Sequence, residues 1–386
     1  MNPSPKLLRT KTGHDSSKVA FVELFFDLVF VFAITQLSHG LIHHFSLLGG
    51  LETLMLLLAV WWVWICTTWV TNWLDPEKLP VRTMLLVMMV LGLVLTSAIP
   101  DAFESRGLAF AGAYVIMHLG RSAFFIWAVR GEPLMARNSQ RILTWLTASA
   151  VFWIAGGFSE GVTRIALWAA ALGIEYVGPW TGFRVPGLGS SSTTDWEVSG
   201  HHMAERCGLF IIIALGESIL VTGATFSNLA WNAEVIGAFS ASVIGSIAMW
   251  WLYFDTASES GSHQISSSDD PGRLARLTYT YLHLLLVGGI ILIAVADEFV
   301  LAHPGGHTDS KTLVTLLGGT GLYLLGNMLF KRIVGGNLPL SHIAGLVVLG
   351  AMSPFGSHLA PWLMSTLTTL LLIGVAAWER RSAPCH

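Results

Sequence analysis

Residues 22–34 read Val22-Glu23-Leu24-Phe25-Phe26-Asp27-Leu28-Val29-Phe30-Val31-Phe32-Ala33-Ile34, apolar throughout except for two acids four positions apart. The apolar run spans roughly residues 20–41, and a helix needs about 20 such residues to cross a bilayer. Lipid offers backbone groups no partners, so the run is a helix; a barrel strand would alternate apolar and polar residues. Basic residues precede it, as in a signal sequence. It is too long for a signal h-region and lacks a small-residue cleavage site, so it reads as a retained helix.

The same pattern recurs. Apolar runs at roughly 51–73, 82–103, 108–129, 142–159, 163–181, 203–226, 234–254, 277–300, 312–330, 339–352 and 359–378 bring the total to about twelve spans. Of 386 residues, 53% are hydrophobic and 12% charged, against about 25% charged in a soluble domain. That excludes a water-soluble globule and a disordered chain. The fold class is all-α, a polytopic integral membrane bundle whose surroundings are the lipid bilayer. A net charge of -3 offers no basic surface for nucleic acid. Cys66, Cys207 and Cys385 are odd in number and scattered, which suits neither a disulfide framework nor a thiolate metal site. No Walker loop, dinucleotide fingerprint or zinc motif is present, so no cofactor is expected.

Placing the N-terminus inside leaves only Arg106, Arg164 and Lys311 facing out and Arg121 and Arg206 within spans; the other sixteen of the 21 Lys and Arg residues fall on the cytoplasmic side. This positive-inside bias predicts both termini in the cytoplasm. An internal repeat accompanies it. The third span ends Ala98-Ile99-Pro100-Asp101-Ala102-Phe103 and the ninth Ala294-Val295-Ala296-Asp297-Glu298-Phe299; Gly120-Arg121 in the fourth answers Gly326-Asn327 in the tenth. The expected organisation is a cytoplasmic segment 1–19, a six-helix repeat 20–183, a flexible linker 184–198 and a second six-helix repeat 199–381. Thr256 to Gly272, Ser-rich and acidic, reads as a mobile cytoplasmic loop.

The string Glu23 to Ile34 resembles the opening signature of the bacterial low temperature requirement protein A family. His202-Met203-Ala204-Glu205-Arg206-Cys207-Gly208-Leu209-Phe210, followed by Gly216-Glu217-Ser218-Ile219, is similar to that family's second signature. The resemblance implies a multipass protein of the bacterial cytoplasmic membrane. It carries over no catalytic or transport residues.

Ionisable side chains inside spans are costly and normally face a partner or a cavity. Glu23 and Asp27 share a helix face. Asp27 lies about 10 Å and Arg121 about 12 Å from the cytoplasmic ends of oppositely running helices, so the two can pair. His118 shares a face with Arg121. His201 shares one with Glu205, and His202 with Arg206. Glu217 is expected near mid-bilayer beside Gly216 and Ser218. Glu23, Asp27, His118, Arg121, Glu205, Arg206 and Glu217 are therefore the candidate substrate- or ion-binding residues, with Glu217 foremost; the alternative is an ion pair or hydrogen bond that fixes helix packing for Glu23, Asp27, His118 and Arg121, and interfacial anchoring for Glu205 and Arg206, which lie near the cytoplasmic end of their span. Trp61, Trp62 and Trp64 lie deeper than an interfacial belt, as a wall for a flat or cationic ligand or as packing. Asp101, Asp297, Glu298, Glu175 and Glu379 read as solvated caps at span ends. His43, His44, His303 and His307 with Asp297 fit no closed metal-site spacing, so no metal is expected.

Three functions remain open. The first is a proton- or ion-coupled secondary transporter of a small solute. The second is an integral-membrane enzyme acting on a lipid or isoprenoid by carboxylate acid/base chemistry. The third is a non-catalytic membrane stress-tolerance factor. The first two bind a small molecule or ion, and an enzyme is the less favoured. Oligomeric state is not legible.

Overall fold

The computed structural model describes residues 7–9, 18–196, 198–255 and 268–382. Twelve helices lie among them, one for each apolar run. They are α1 (Phe21–His43), α2 (Leu47–Trp73), α3 (Leu79–Ala98), α4 (Gly107–Ala128), α5 (Pro133–Gly157), α6 (Gly161–Val177), α7 (Gly200–Ser227), α8 (Ala233–Phe254), α9 (Pro271–Ala302), α10 (Ser310–Gly335), α11 (Leu340–Gly356) and α12 (Pro361–Ser382). Nine are long and apolar enough to cross a membrane. The other three are α5, whose first turns are polar, and α6 and α11, both 17 residues long. α5 begins nine residues earlier than its apolar run, because Pro133 is pre-set for a first helical turn and the polar Arg137–Gln140 stretch continues it. Cys385, most of the 1–19 segment and most of the Ser-rich loop lie outside the described residues.

Apolar side chains face outward. On α3, Val87, Val90, Leu93 and Val94 are exposed while Leu85, Met88, Gly92 and Leu95 are buried. Charge goes the other way: Glu23, Asp27, Arg121, Glu175, Arg206 and Asp297 are all buried. A surface of this kind suits hydrocarbon as solvent, and no ionisable residue in that group is turned toward acyl chains.

The chain forms two compact units. The first takes residues up to Gly40, Ser46–Met203 and Asp269–Arg273; the second takes Leu41–Phe45, Ala204–Ser268 and residues from Leu274 on. The division between them on this side falls in the first turn of α7. In the first unit α3 packs on α4, α4 on α5 and α5 on α6, while α2 touches α4 and α6. The 184–198 segment does not hang free. Arg141 donates to the Leu188 carbonyl at 2.9 and 2.6 Å, and Trp145 Nε1–H to the Arg184 carbonyl at 3.2 Å, which ties it to α5.

In the second unit α9 packs on α10, α10 on α11 and α11 on α12, while α8 touches α12, α9 and α10. The α9–α10 crossing is backbone against backbone. A Cβ at Gly289 would stand 2.8 Å from the Tyr323 nitrogen, and one at Gly319 would stand 2.9 Å from the Ile293 nitrogen, so only glycine allows the approach. α9 opens through a π-helical turn, Arg276–Leu282. Its wide ring leaves the Thr278 carbonyl to His283, whose Nδ1–H donates at 2.8 Å while Nε2 accepts from Tyr253 at 2.7 Å.

Candidate functional site

One buried polar cluster of the first unit grows from three helices that each present one face. Tyr114, His118 and Arg121 on α4 stand at i, i+4 and i+7, and all are buried, whereas Ile116 on the opposite side is exposed. Ser149 and Trp153 on α5 are four apart. Trp168, Leu172 and Glu175 repeat the i, i+4, i+7 spacing on α6. These stripes converge on the Glu175 carboxylate, which is 2% exposed. Ser149 donates to its Oε1 at 2.7 Å, Trp153 Nε1–H donates to the same oxygen at 2.9 Å, and Tyr114 donates its hydroxyl to Oε2. Among the described residues no cation lies within ion-pair distance of Glu175, and its hydrogen-bond partners there are three neutral donors.

The serine gives this site two states. Ser149 Oγ is also 3.0 Å from the Leu146 carbonyl of its own helix. One hydroxyl hydrogen serves either acceptor. With Glu175 ionised it points to the carboxylate; with Glu175 protonated it turns to Leu146, and the acid O–H donates to the freed serine oxygen. Both protonation states are hydrogen-bonded, so neither carries the full penalty of an unsatisfied buried group.

From Glu175 the chain of contacts continues. The Tyr114 ring lies against His118 with centroids 4.4 Å apart. Arg121 donates to His118 Nδ1 at 2.9 Å, to Thr67 Oγ1 at 3.1 Å and to the Val63 carbonyl at 3.2 Å, the last two on α2. Because Nδ1 accepts, Nε2 carries the imidazole hydrogen. That Nε2–H is buried and has no hydrogen-bond partner among the described residues. The expected Asp27–Arg121 pair is not formed: Arg121 is 2% exposed, and its three partners are all neutral. Asp27 instead accepts from Trp64 Nε1–H at 2.8 Å. The two residues lie at similar depths along their helices, but depth does not fix the direction in which each helix face turns. Trp64 stacks beside Trp61 at 5.0 Å and Trp62 against Tyr176 at 4.3 Å, so the deep tryptophans of α2 are embedded in protein.

A second cluster of this unit holds Glu23. Its Oε2 is 3.0 Å from Arg9, its Oε1 is 3.1 Å from His202 Nε2, and the Ala20 amide donates to it at 2.9 Å. Arg9 also donates to the Thr71 carbonyl at 2.8 Å, and Leu8 forms an antiparallel bridge with Leu74. Glu23 is thus ion-paired. Asn72 joins the cluster through His202 Nδ1 at 3.3 Å and the Ser199 carbonyl at 3.0 Å. As the spacing on α7 predicts, His202 and Arg206 lie on a buried face, whereas His201 is exposed and Glu205 half-buried.

In the second unit Glu217 is half-buried, and a Cβ at Gly216 would meet nothing within 4 Å. Ser218 beside it is buried, with its hydroxyl lacking a partner among the described residues. Three supposed end caps are corrected. Glu175 is the centre of the first cluster. Asp297 is 2% exposed because α9 continues to Ala302 beyond it. Glu379 pairs with Lys331. Asp101, by contrast, is the half-exposed residue that the sequence suggests, 3.1 Å from Arg106, since the chain turns there through Ile99–Asp101. Arg164 is not a solvated outer charge either: it is buried and donates to the carbonyls of Gly156, Ser159, Ala102 and Glu104. Sequence reading missed Tyr114, Ser149, Trp153 and Glu175 as a group, although the i, i+4, i+7 spacings were available to it. Among the described residues no group of three or more His, Cys, Asp or Glu side chains could hold a metal ion.

The family model described as bacterial low temperature requirement A protein (LtrA) matches residues 18–377. A protein of Rhizobium meliloti (strain 1021), described as uncharacterized, is 42% identical over 371 residues, covering 96% of this chain and 90% of the relative. No solved structure matches. On a match spanning both signatures and nearly every helix, the chain belongs to the bacterial low temperature requirement A (LtrA) family.

Proposed function

We propose that this chain is a proton-coupled secondary transporter of a small solute, with Glu175 as the proton carrier of its first unit. One observation carries the reading: the buried Glu175 carboxylate is held by neutral donors, and one of these, Ser149, has a second acceptor at 3.0 Å that lets it satisfy either protonation state. A carboxylate meant only for packing would be expected to sit against a cation, as Glu23 does with Arg9. Arg121 and His118 Nε2–H complete the reading. They are a buried cation with neutral partners and a donor with none among the described residues, which together suit the anionic group of a solute. Asp27, Glu205, Arg206 and Glu217 enter as further binding residues on α1 and α7.

The arrangement that goes with this function is twelve crossings in two six-helix repeats, in a bacterial cytoplasmic membrane with both termini inside. The shared order of neighbours supports it: α3 to α6 with α2 against α4 and α6, and α9 to α12 with α8 against α10 and α12. The test is uptake of a panel of labelled small organic anions into proteoliposomes under an imposed pH gradient. Accumulation of at least one anion that a protonophore abolishes is the expected result. Accumulation insensitive to the protonophore, or none across the panel, sinks the reading and leaves these charges as packing.

A further inference from the structure

Among the described residues of the second unit, Asp297 is the acid that is fully buried. Its Oδ1 accepts from Ser242 Oγ on α8 at 2.8 Å, and its Oδ2 has no hydrogen-bond partner among the described residues. Its neighbours along the helix are packed among apolar side chains. Its neighbour Ala296 packs with Leu316 and Met364, and Val300 and Leu301 pack with Ala238. A carboxylate with one neutral donor and no countercharge is among the costliest groups to bury. The charged and titratable groups on the elements packed against α9, including the exposed His43 and His44 where α1 ends, are engaged elsewhere or lie at helix ends. Glu298, the next residue, accepts from Thr225 at 3.1 Å. Lys311 sits over the Phe299 ring at 4.7 Å. Glu234 opens α8, while Lys331 and Glu379 pair with each other, and α12 carries no other ionisable group before Arg380.

We propose that Asp297 and Ser242 form a proton-binding site in the second unit, with Asp297 protonated at rest. The proton sits on the carboxyl group. Ser242 Oγ lies 3.1 Å from the Ala238 carbonyl of its own helix and 2.8 Å from Asp297. With the acid protonated, its O–H donates to Ser242 Oγ and the serine hydrogen goes to Ala238. On release the serine hydrogen turns to the carboxylate. This is the same serine device that Ser149 supplies for Glu175, built from different helices. A metal cation suits the site less well than a proton, because hard cations take six or more oxygen ligands and Ser242 is the one oxygen neighbour that Asp297 bonds. This inference does not depend on transport: it concerns a bound proton.

Infrared difference spectroscopy on the purified full-length protein tests it. A protonated carboxyl group has a C=O band distinct from the carboxylate stretches. The wild-type minus Asp297→Asn difference, recorded at neutral pH, is expected to contain that band. The band should persist in Ser242→Ala, shifted to higher frequency by loss of the hydrogen bond, and should disappear as pH is raised. Adding sodium at constant pH should leave it unchanged. A difference spectrum showing carboxylate stretches at neutral pH, or an acid band that sodium removes, overturns the proposal. Because Ser242→Ala keeps the carboxyl group, the band shift can still be read should Asp297→Asn fail to fold. Failure of this measurement leaves the Glu175 reading standing, and the converse holds too.

Discussion

Replacing Glu175 separates structure from chemistry. In Glu175→Ala, Tyr114 and Trp153 lose their acceptor while Ser149 falls back on Leu146, 3.0 Å away. Two buried donors are thus stranded, at about 1–3 kcal/mol each. The expected loss is about 2–6 kcal/mol, before any contribution from the cavity left behind. In Glu175→Gln the amide oxygen accepts from Trp153 and the tyrosine hydroxyl can rotate to accept from the amide nitrogen, so the cost should be no more than about 1–2 kcal/mol. Intrinsic tryptophan fluorescence during thermal unfolding in one detergent reads the difference directly, since Trp153 touches the site. The alanine variant should unfold several degrees below the glutamine variant, which should stay near wild type. If the two unfold together within about 1 °C, the carboxylate is not the acceptor that holds these helices, and the description of the site is wrong.

Other outcomes follow from the same geometry. Arg164→Met should lower the unfolding temperature by several degrees, because it strands carbonyls at the α5 end and in the turn after α3, and Arg164→Lys should not restore it, since a point charge cannot reproduce the fork. Gly289→Ala forces a contact of 2.8 Å on the Tyr323 backbone and should cost about 1–3 kcal/mol, while Gly216→Ala, with open space around its Cβ, should be neutral or slightly stabilising in the same unfolding assay. Asp309 caps α10 through the Thr312 amide at 2.9 Å. Partial burial pushes its carboxyl up, but the bonds from Thr312 outweigh this and hold it below the usual Asp value. Its depressed value means that the stabilisation is present above the ordinary Asp value of about 4 and lost as pH falls below it. Asp309→Ala should therefore cost about 1 kcal/mol at neutral pH, and less in acid when unfolding is followed against pH.

The helices were legible because a bilayer demands long apolar runs, and each run became one helix. The acids of α1 were legible as buried for the same reason, whereas those of α7, Glu205 and Glu217, are only half-buried. Which charge meets which was not. Asp27 and Arg121 match in depth, yet each turns to a neutral partner, because azimuth depends on how α2 packs against α4. Glu175 and Asp297 read as caps because each lies near the end of its apolar run, 163–181 and 277–300. In both cases the helix continues or the acid is covered by neighbours from distant sequence. Ser149 and Ser242 carry no local signal at all; their role appears only when a carboxyl from another helix stands within 3 Å.

The central claim is that Glu175 exchanges a proton during turnover. Proteoliposomes loaded with whichever anion the wild-type protein accumulates test it most directly, with Glu175→Gln compared in two modes. Accumulation driven by a pH gradient should be lost, while exchange of labelled for unlabelled anion, which needs no net proton movement, should continue. Gradient-driven accumulation that survives in folded Glu175→Gln would contradict the account.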